Sequence, residues 1–181
     1  MNVIRTAIPG VLLIEPVVKS DARGFFLEVW QEQRYRAAGI DLPFVQDNHS
    51  RSARNTVRGL HYQIQQPQGK LVRVAKGEVF DVAVDLRRSS LTFGRWVGAS
   101  LTADNQRQLW VPPGFAHGFY VRSESADLLY KCTDLYAPEH DRTLQWDDPD
   151  IGVEWPLLDG APILSAKDAA ATPFRNADTY P

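Results

Sequence analysis

His61 stands in the run RGLHYQ, residues 58–63, with Gln63 two places further on. An imidazole in a strand can be a hydrogen-bonded structural group, a metal ligand or a base. Its unperturbed pKa of about 6.5 leaves it able to accept a proton near neutrality. On a regular strand Gly59, His61 and Gln63 share one face, and Arg58, Leu60 and Tyr62 share the other. The His61 face has little apolar character and reads as a pocket wall. A metal site there would call for a second imidazole on the same face, where the chain has Gln63.

His117 ends a Pro-x-Gly-x-x-His pattern within QLWVPPGFAHGFYV, residues 108–121. In the cupin superfamily this pattern often supplies a metal-binding histidine. Cupin metal sites also use a His-x-His pair followed by an acidic ligand, and here that pair is His61-Tyr62-Gln63. His140, in the polar PEHD segment, and His49, at an expected loop edge, offer no replacement, so no metal ligand is assigned. Lys70 opens a strand on which Lys70, Val72 and Val74 share a face, and Tyr130 sits between Leu129 and Lys131 in a β-rich run. Each has a plain alternative, as a solvated strand-end lysine or a core tyrosine with a satisfied hydroxyl. Spacing alone does not bring these groups together.

The elements that must position them are short. VLLIEPVV, FFLEVW, VRGLHYQ, KLVRVAKGEVFDVAVDL, GRWVGASL, RQLWVPP, HGFYVRS and DLLYKCTDLY recur between Gly, Pro, Asp and Asn. Many short strands with turn signals between them predict an all-β sandwich or barrel, not βαβ units. AKGEV reads as a turn and SRSARN as a loop. Only EQRYRAAGI, residues 32–40, has a helical pattern, with Gly39 as its stop. After residue 137 the chain turns rich in Pro, Asp and Trp, which predicts an irregular segment wrapped on the barrel. The final AAATPFRNADTYP is expected to be loosely held.

The 181 residues suit one domain, 1–181, large enough to bury its core without covalent staples. A formal charge of −2 gives no overall field for nucleic acid or an anionic membrane, so a phosphate-bearing ligand must meet local arginines and lysines. Cys132 is the single cysteine, which rules out an intramolecular disulfide and a multi-thiolate zinc site. The N-terminal residues lack a cleavage pattern and no uncharged run approaches spanning length. A soluble protein of the cytoplasm is expected.

The ordered set RGLHYQ, QGKLVRV, GEVFDVAVDLR, TFGRW, LWVPPGFAHGF, LLYKCTDLY, WDDPDIGVEWP and LSAKD closely resembles the dTDP-4-dehydrorhamnose 3,5-epimerases over residues from about 3 to 168. The resemblance implies a cupin-type jelly-roll barrel with a few short helices and an irregular C-terminal segment. It implies a reaction that inverts C3 and C5 of a dTDP-linked 4-keto-6-deoxyhexose. Both protons lie α to a ketone, so the site needs a base at carbon, a cationic or hydrogen-bonding group at the ketone oxygen and an acid on the opposite face. This chemistry calls for no cofactor.

By the same resemblance His61 is the base, Asp168 its carboxylate partner, Lys70 the stabiliser of the enolate oxygen and Tyr130 the acid. Arg23, Glu28, Gln46, Asn48, Arg58, His117, Tyr136, Asp141 and Lys167 match positions that hold the nucleotide sugar, with Tyr136 stacking on thymine. Asp141 falls where the family commonly has glutamate, and Leu91 where proline is usual. Arg58 lies on the face opposite His61 if the strand is regular; a bulge or a partner subunit would have to reconcile the two. A homodimer with N-terminal strands packed across the boundary is implied as well. The competing expectations are an epimerase acting at one carbon, a non-catalytic sugar-nucleotide binder and a metal-dependent cupin oxygenase.

Overall fold

Runs of β-branched and aromatic residues become thirteen strands in the computed structural model, which describes residues 1–181. In chain order these are β1 (Asn2–Arg5), β2 (Leu12–Glu15), β3 (Val18–Asp21), β4 (Gly24–Leu27), the helix α1 (Glu32–Ala37), β5 (Gln46–Ala53), β6 (Val57–Gln63) and β7 (Lys70–Lys76). There follow β8 (Glu78–Asp85), β9 (Trp96–Thr102), β10 (Gln108–Val111), β11 (Phe115–Val121), β12 (Ser125–Cys132), β13 (Asp141–Thr143) and the one-turn helix α2 (Ala166–Ala169). The strands form a six-stranded sheet, β1-β2-β10-β7-β12-β5, and a five-stranded sheet, β13-β6-β11-β8-β9. Hairpin β3-β4 pairs only with itself. The two larger sheets face each other as a jelly roll.

Alternation along each strand divides the side chains between three apolar layers. Val72, Leu109 and Leu128 from one sheet meet Ala83, Leu101, Phe115 and Phe119 from the other in the interior. The outer face of the five-stranded sheet, with Leu60, Tyr62, Val82 and Val84, is covered by the chain beyond residue 143 through Leu144, Ile151 and Ala177. Tyr35 and Ile40, in and after α1, cover Ile14, Leu71 and Trp110 on the far side. Because β8 is buried on both faces, VFDVAVDL reads as a nearly continuous apolar run.

One expectation holds here and two change. Gly77 makes the expected turn between β7 and β8, at φ +77°, and because the two strands lie in different sheets it is a corner between them. SRSARN is largely strand, since β5 runs to Ala53 and includes His49; its polar residues suit an edge strand with one wet face. The last ten residues are held, not loose. Tyr180 bridges to Arg87, the Tyr62 hydroxyl donates to the Asp178 carbonyl at 2.7 Å, and the Tyr180 hydroxyl donates to the Gln63 carbonyl at 2.5 Å.

The strand carrying His61 is not regular. His61 pairs with His117, yet Arg58 pairs with Phe119, so three steps on β6 oppose two on β11. That extra residue is a β-bulge, and it rotates Arg58 onto the face of His61. The bulge resolves the conflict that a regular strand creates. Gly59 makes it possible: its φ is +117°, and a Cβ there would lie 2.6 Å from the Gly118 Cα and 2.8 Å from the His117 carbonyl oxygen. Gly59→Ala is therefore expected to lower unfolding free energy by about 2–4 kcal/mol, read from chemical denaturation, because both strain and overlap are introduced.

Candidate active site

One end of the jelly-roll interior is polar instead of apolar. There a cavity of about 340 Å³ is lined by Gln46 and Asn48 of β5, His61 of β6, Lys70 of β7 and Tyr130 of β12, with Tyr136, Asp141 and Lys167 at its rim. Its size is that of a small-ligand site. Lys70 and Tyr130 rise from the six-stranded sheet and His61 from the five-stranded one, so the imidazole meets the phenol and the ammonium across the opening.

His61 Nε2 lies 2.5 Å from Asp168 Oδ1. A carboxylate only accepts, so Nε2 carries the hydrogen and the lone pair resides on Nδ1. Asp168 is buried, at 4% exposed. Ser165 holds it twice: the hydroxyl donates to Oδ2 at 2.8 Å and accepts from the Asp168 N–H at 3.1 Å, capping α2. Burial pushes the Asp168 carboxyl upward, but the bonds from His61 and Ser165 outweigh it and hold the group below the usual range. Burial also depresses His61, by more than Asp168 raises it. The pair rests as neutral imidazole and carboxylate.

Lys70 is 9% exposed, and its ammonium reaches only the His61 carbonyl, at 3.5 Å. Burial lowers its pKa, while Cys132, Asp141 and Asp81 work to keep it charged. Tyr130 is pushed up by burial and by Cys132, with Arg58 opposing, so its hydroxyl keeps its proton at neutral pH. The cavity thus holds a neutral base, a buried lysine amine and a protonated phenol. That set can take a proton from carbon, steady negative charge on oxygen and give a proton back.

His117 does not line the cavity. It lies buried behind it, with Nε2 2.9 Å from Asp81 Oδ1. Arg58 is exposed and donates through Nε to Ser52 Oγ at 2.8 Å. At the rim the Tyr136 hydroxyl donates to Asp141 Oδ2 at 3.0 Å, and Lys167 donates to the same oxygen. The short arm of Asp141 is thereby committed to its neighbours. Arg23 and Glu28 stand apart from this cavity within one chain: Arg23 pairs with Asp21 at the hairpin turn, and Glu28 accepts from Arg34 of α1 at 3.0 Å. His61 and His117 are cross-strand partners while His49 and His140 lie apart, and no group of three or more His, Cys, Asp or Glu side chains is placed to hold a metal ion.

Two contributors fall within the runs GEVFDVAVDLR and LSAKD but are given no role there. Asp81 shares a strand face with Val79 and Ala83, and a carboxylate inside an apolar alternation is the signal that marks it. Ser165-x-x-Asp168 has the spacing of a capping box, which announces a helix start and a tethered carboxylate.

A sequence profile of the dTDP-4-dehydrorhamnose 3,5-epimerases matches residues 5–176. The chain is 58% identical to the dTDP-4-dehydrorhamnose 3,5-epimerase of Pseudomonas aeruginosa over 100% of both chains, and 56% identical to that of Salmonella typhimurium over 94% of each. It superposes with a TM-score of 0.95, at 53% identity, on a dTDP-6-deoxy-D-glucose-3,5-epimerase from Legionella pneumophila in complex with dTDP-4-keto-L-rhamnose; 98% of this chain and 94% of that one are covered.

Because His61 starts below its ordinary 6.5, any reaction using it as a base should fade with falling pH only beneath that value. Asp168→Asn removes the group that raises His61. The acidic limb of the pH–rate profile should then move to still lower pH, while the maximal rate drops roughly 10²- to 10⁴-fold.

Proposed function

The chain belongs to the dTDP-4-dehydrorhamnose 3,5-epimerase family, and from that premise we propose that His61, Asp168, Lys70 and Tyr130 carry its reaction, the inversion of C3 and C5 in a dTDP-linked 4-keto-6-deoxyhexose. His61 Nδ1 takes the proton α to the ketone. Asp168 accepts the Nε2 hydrogen and stabilises the imidazolium that forms. Electron density moves to the C4 oxygen, where the Lys70 ammonium meets it. Tyr130 returns a proton to the opposite face of the carbon; before the second carbon reacts, the phenolate regains a proton from solvent and the imidazolium releases the one it took. No electron leaves the sugar, so the steps balance without a redox cofactor. The observation that carries this reading is the short His61–Asp168 bond in a cavity shared with Lys70 and Tyr130.

Gln46, Asn48, Tyr136, Asp141 and Lys167 form the nucleotide end, with Tyr136 offering its ring to thymine. Arg58, brought to the face of His61 by the bulge and left exposed, supplies positive charge for the diphosphate, and His117 braces the floor beneath the sugar. A metal-dependent oxygenase would need a three-ligand set that these side chains do not form. A reducing cytoplasm suits the single buried thiol, Cys132, and no helix is long and apolar enough to cross a membrane.

The working form is a homodimer. Hairpin β3-β4 leaves Phe25 and Phe26 60% and 69% exposed and carries Arg23 away from the cavity of its own chain. A two-stranded ribbon with bare aromatics is marginal in water, and a second copy laid over it would cover both rings. Arg23 and Glu28 would then serve the partner's site.

Two measurements test this reading. In heavy water with dTDP-4-keto-6-deoxyglucose, NMR should show deuterium at both C3 and C5 and the doubly inverted product; His61→Ala should slow exchange roughly 10²- to 10⁴-fold. Exchange at one carbon alone would reassign the chain as a single-site epimerase, and binding without exchange would make it a carrier. Phe25→Asp with Phe26→Asp should shift sedimentation from dimer to monomer and reduce turnover, whereas an unchanged dimer would remove the hairpin from the interface.

A further inference from the structure

Tyr136 is an aromatic side chain that no core holds. Its ring is 54% exposed, and neighbouring Leu135 is 59% exposed. The backbone around it, by contrast, is tied at three successive residues. Gln63 Nε2 donates to the Leu135 carbonyl at 3.2 Å, the Tyr136 N–H donates to Gln46 Oε1 at 2.9 Å, and the Ala137 N–H donates to Gln63 Oε1 at 2.9 Å. The other Nε2 hydrogen goes to the Gln66 carbonyl at 2.8 Å. Gln63, only 3% exposed, therefore commits both its donors and its oxygen to main chain. It has no donor left for a ligand, although its strand face also carries His61 and opens on the cavity.

We propose that Gln63 is a positioning residue for the nucleotide half of the site: its carboxamide fixes residues 135–137, so that the Tyr136 ring presents a preset face to the base. The inference rests on the epimerase reading above and assigns a duty to a side chain that reading leaves idle. An exposed ring on an untethered backbone would sample many orientations and lose that freedom when a base stacked on it; a tethered one is already placed. An apolar residue at 63 would leave the Leu135 and Gln66 carbonyls and the Ala137 N–H without their partner. The strut has a firm footing, because the Gln63 carbonyl is itself held by the Tyr180 hydroxyl at 2.5 Å. His61 answers to a different partner, Asp168, so losing the strut should spare the proton transfers.

The test replaces Gln63 with methionine, similar in length and without polar atoms. Turnover of dTDP-4-keto-6-deoxyglucose and calorimetric binding of dTDP are measured in the wild type, Gln63→Met, Tyr136→Ala and the double variant. KM and the dTDP Kd should rise roughly tenfold in Gln63→Met, the scale of one lost buried hydrogen bond, with kcat changed less than about threefold. With Tyr136→Ala already present, Gln63→Met should add less than about twofold. A fall in kcat at constant KM, or full additivity with Tyr136→Ala, would overturn the assignment. Should Gln63→Met not fold, the isosteric Gln63→Glu, which keeps an acceptor for Ala137 and loses both donors, reads the same split. Binding of dTDP needs no turnover, so an inactive wild type that binds dTDP would sink the epimerase reading and still leave Gln63 tested.

Discussion

The contact on which the site depends is the one between His61 and Asp168, 107 residues apart in the chain and 2.5 Å apart in space. It fixes the tautomer of the imidazole, chooses which nitrogen can accept a proton and supplies the charge that makes acceptance favourable. It also demands a particular fold. Asp168 arrives on a single helical turn in the segment that wraps the outside of the five-stranded sheet, so the apolar layer around Leu60, Leu144 and Ile151 is what delivers the carboxylate. A packing interaction on one face of the sheet thus sets up a proton transfer at its edge.

Burial acts on the three central groups in a consistent direction, since it disfavours each charged form. For His61 and Tyr130 that is what the chemistry wants, a base without its proton and an acid with one. For Lys70, in its proposed role at the enolate oxygen, it is a cost, and the nearby Cys132, Asp141 and Asp81 offset part of it. The polar floor beneath the cavity, with His117 and Asp81 bonded to each other, reads as an electrostatic foundation for that lysine as much as packing for the barrel.

Much of the architecture was legible because strands announce themselves by alternation and by the Gly, Pro and Asp between them. The all-β class, the helix near residues 32–40 and the wrapped segment after 137 all follow from local pattern. Three features did not, each for a physical reason. The bulge at Gly59 depends on how closely β6 approaches Gly118 on another strand, a long-range fact with no local periodicity. The order seen in the last ten residues comes from partners such as Arg87 and Gln63, far away in the chain. The burial of Asp168 is created by the wrap and not by its neighbours in sequence, so no local pattern announces it. The site residues were reachable only through resemblance, since nothing in their spacing says that strands of two sheets will aim His61, Lys70 and Tyr130 into one cavity.

The late position of the wrap has a consequence for biosynthesis. Chains emerge from the ribosome N-terminus first, at roughly 5–20 residues per second, and every strand of both sheets precedes Ser165. A nascent chain can therefore close its barrel and collect its lysine and phenol while the imidazole still lacks an anchor. The His61–Asp168 contact forms only once the segment from Ser165 onward has docked. A chain lacking that segment would keep every strand yet leave the imidazole without its carboxylate and part of the outer apolar layer bare.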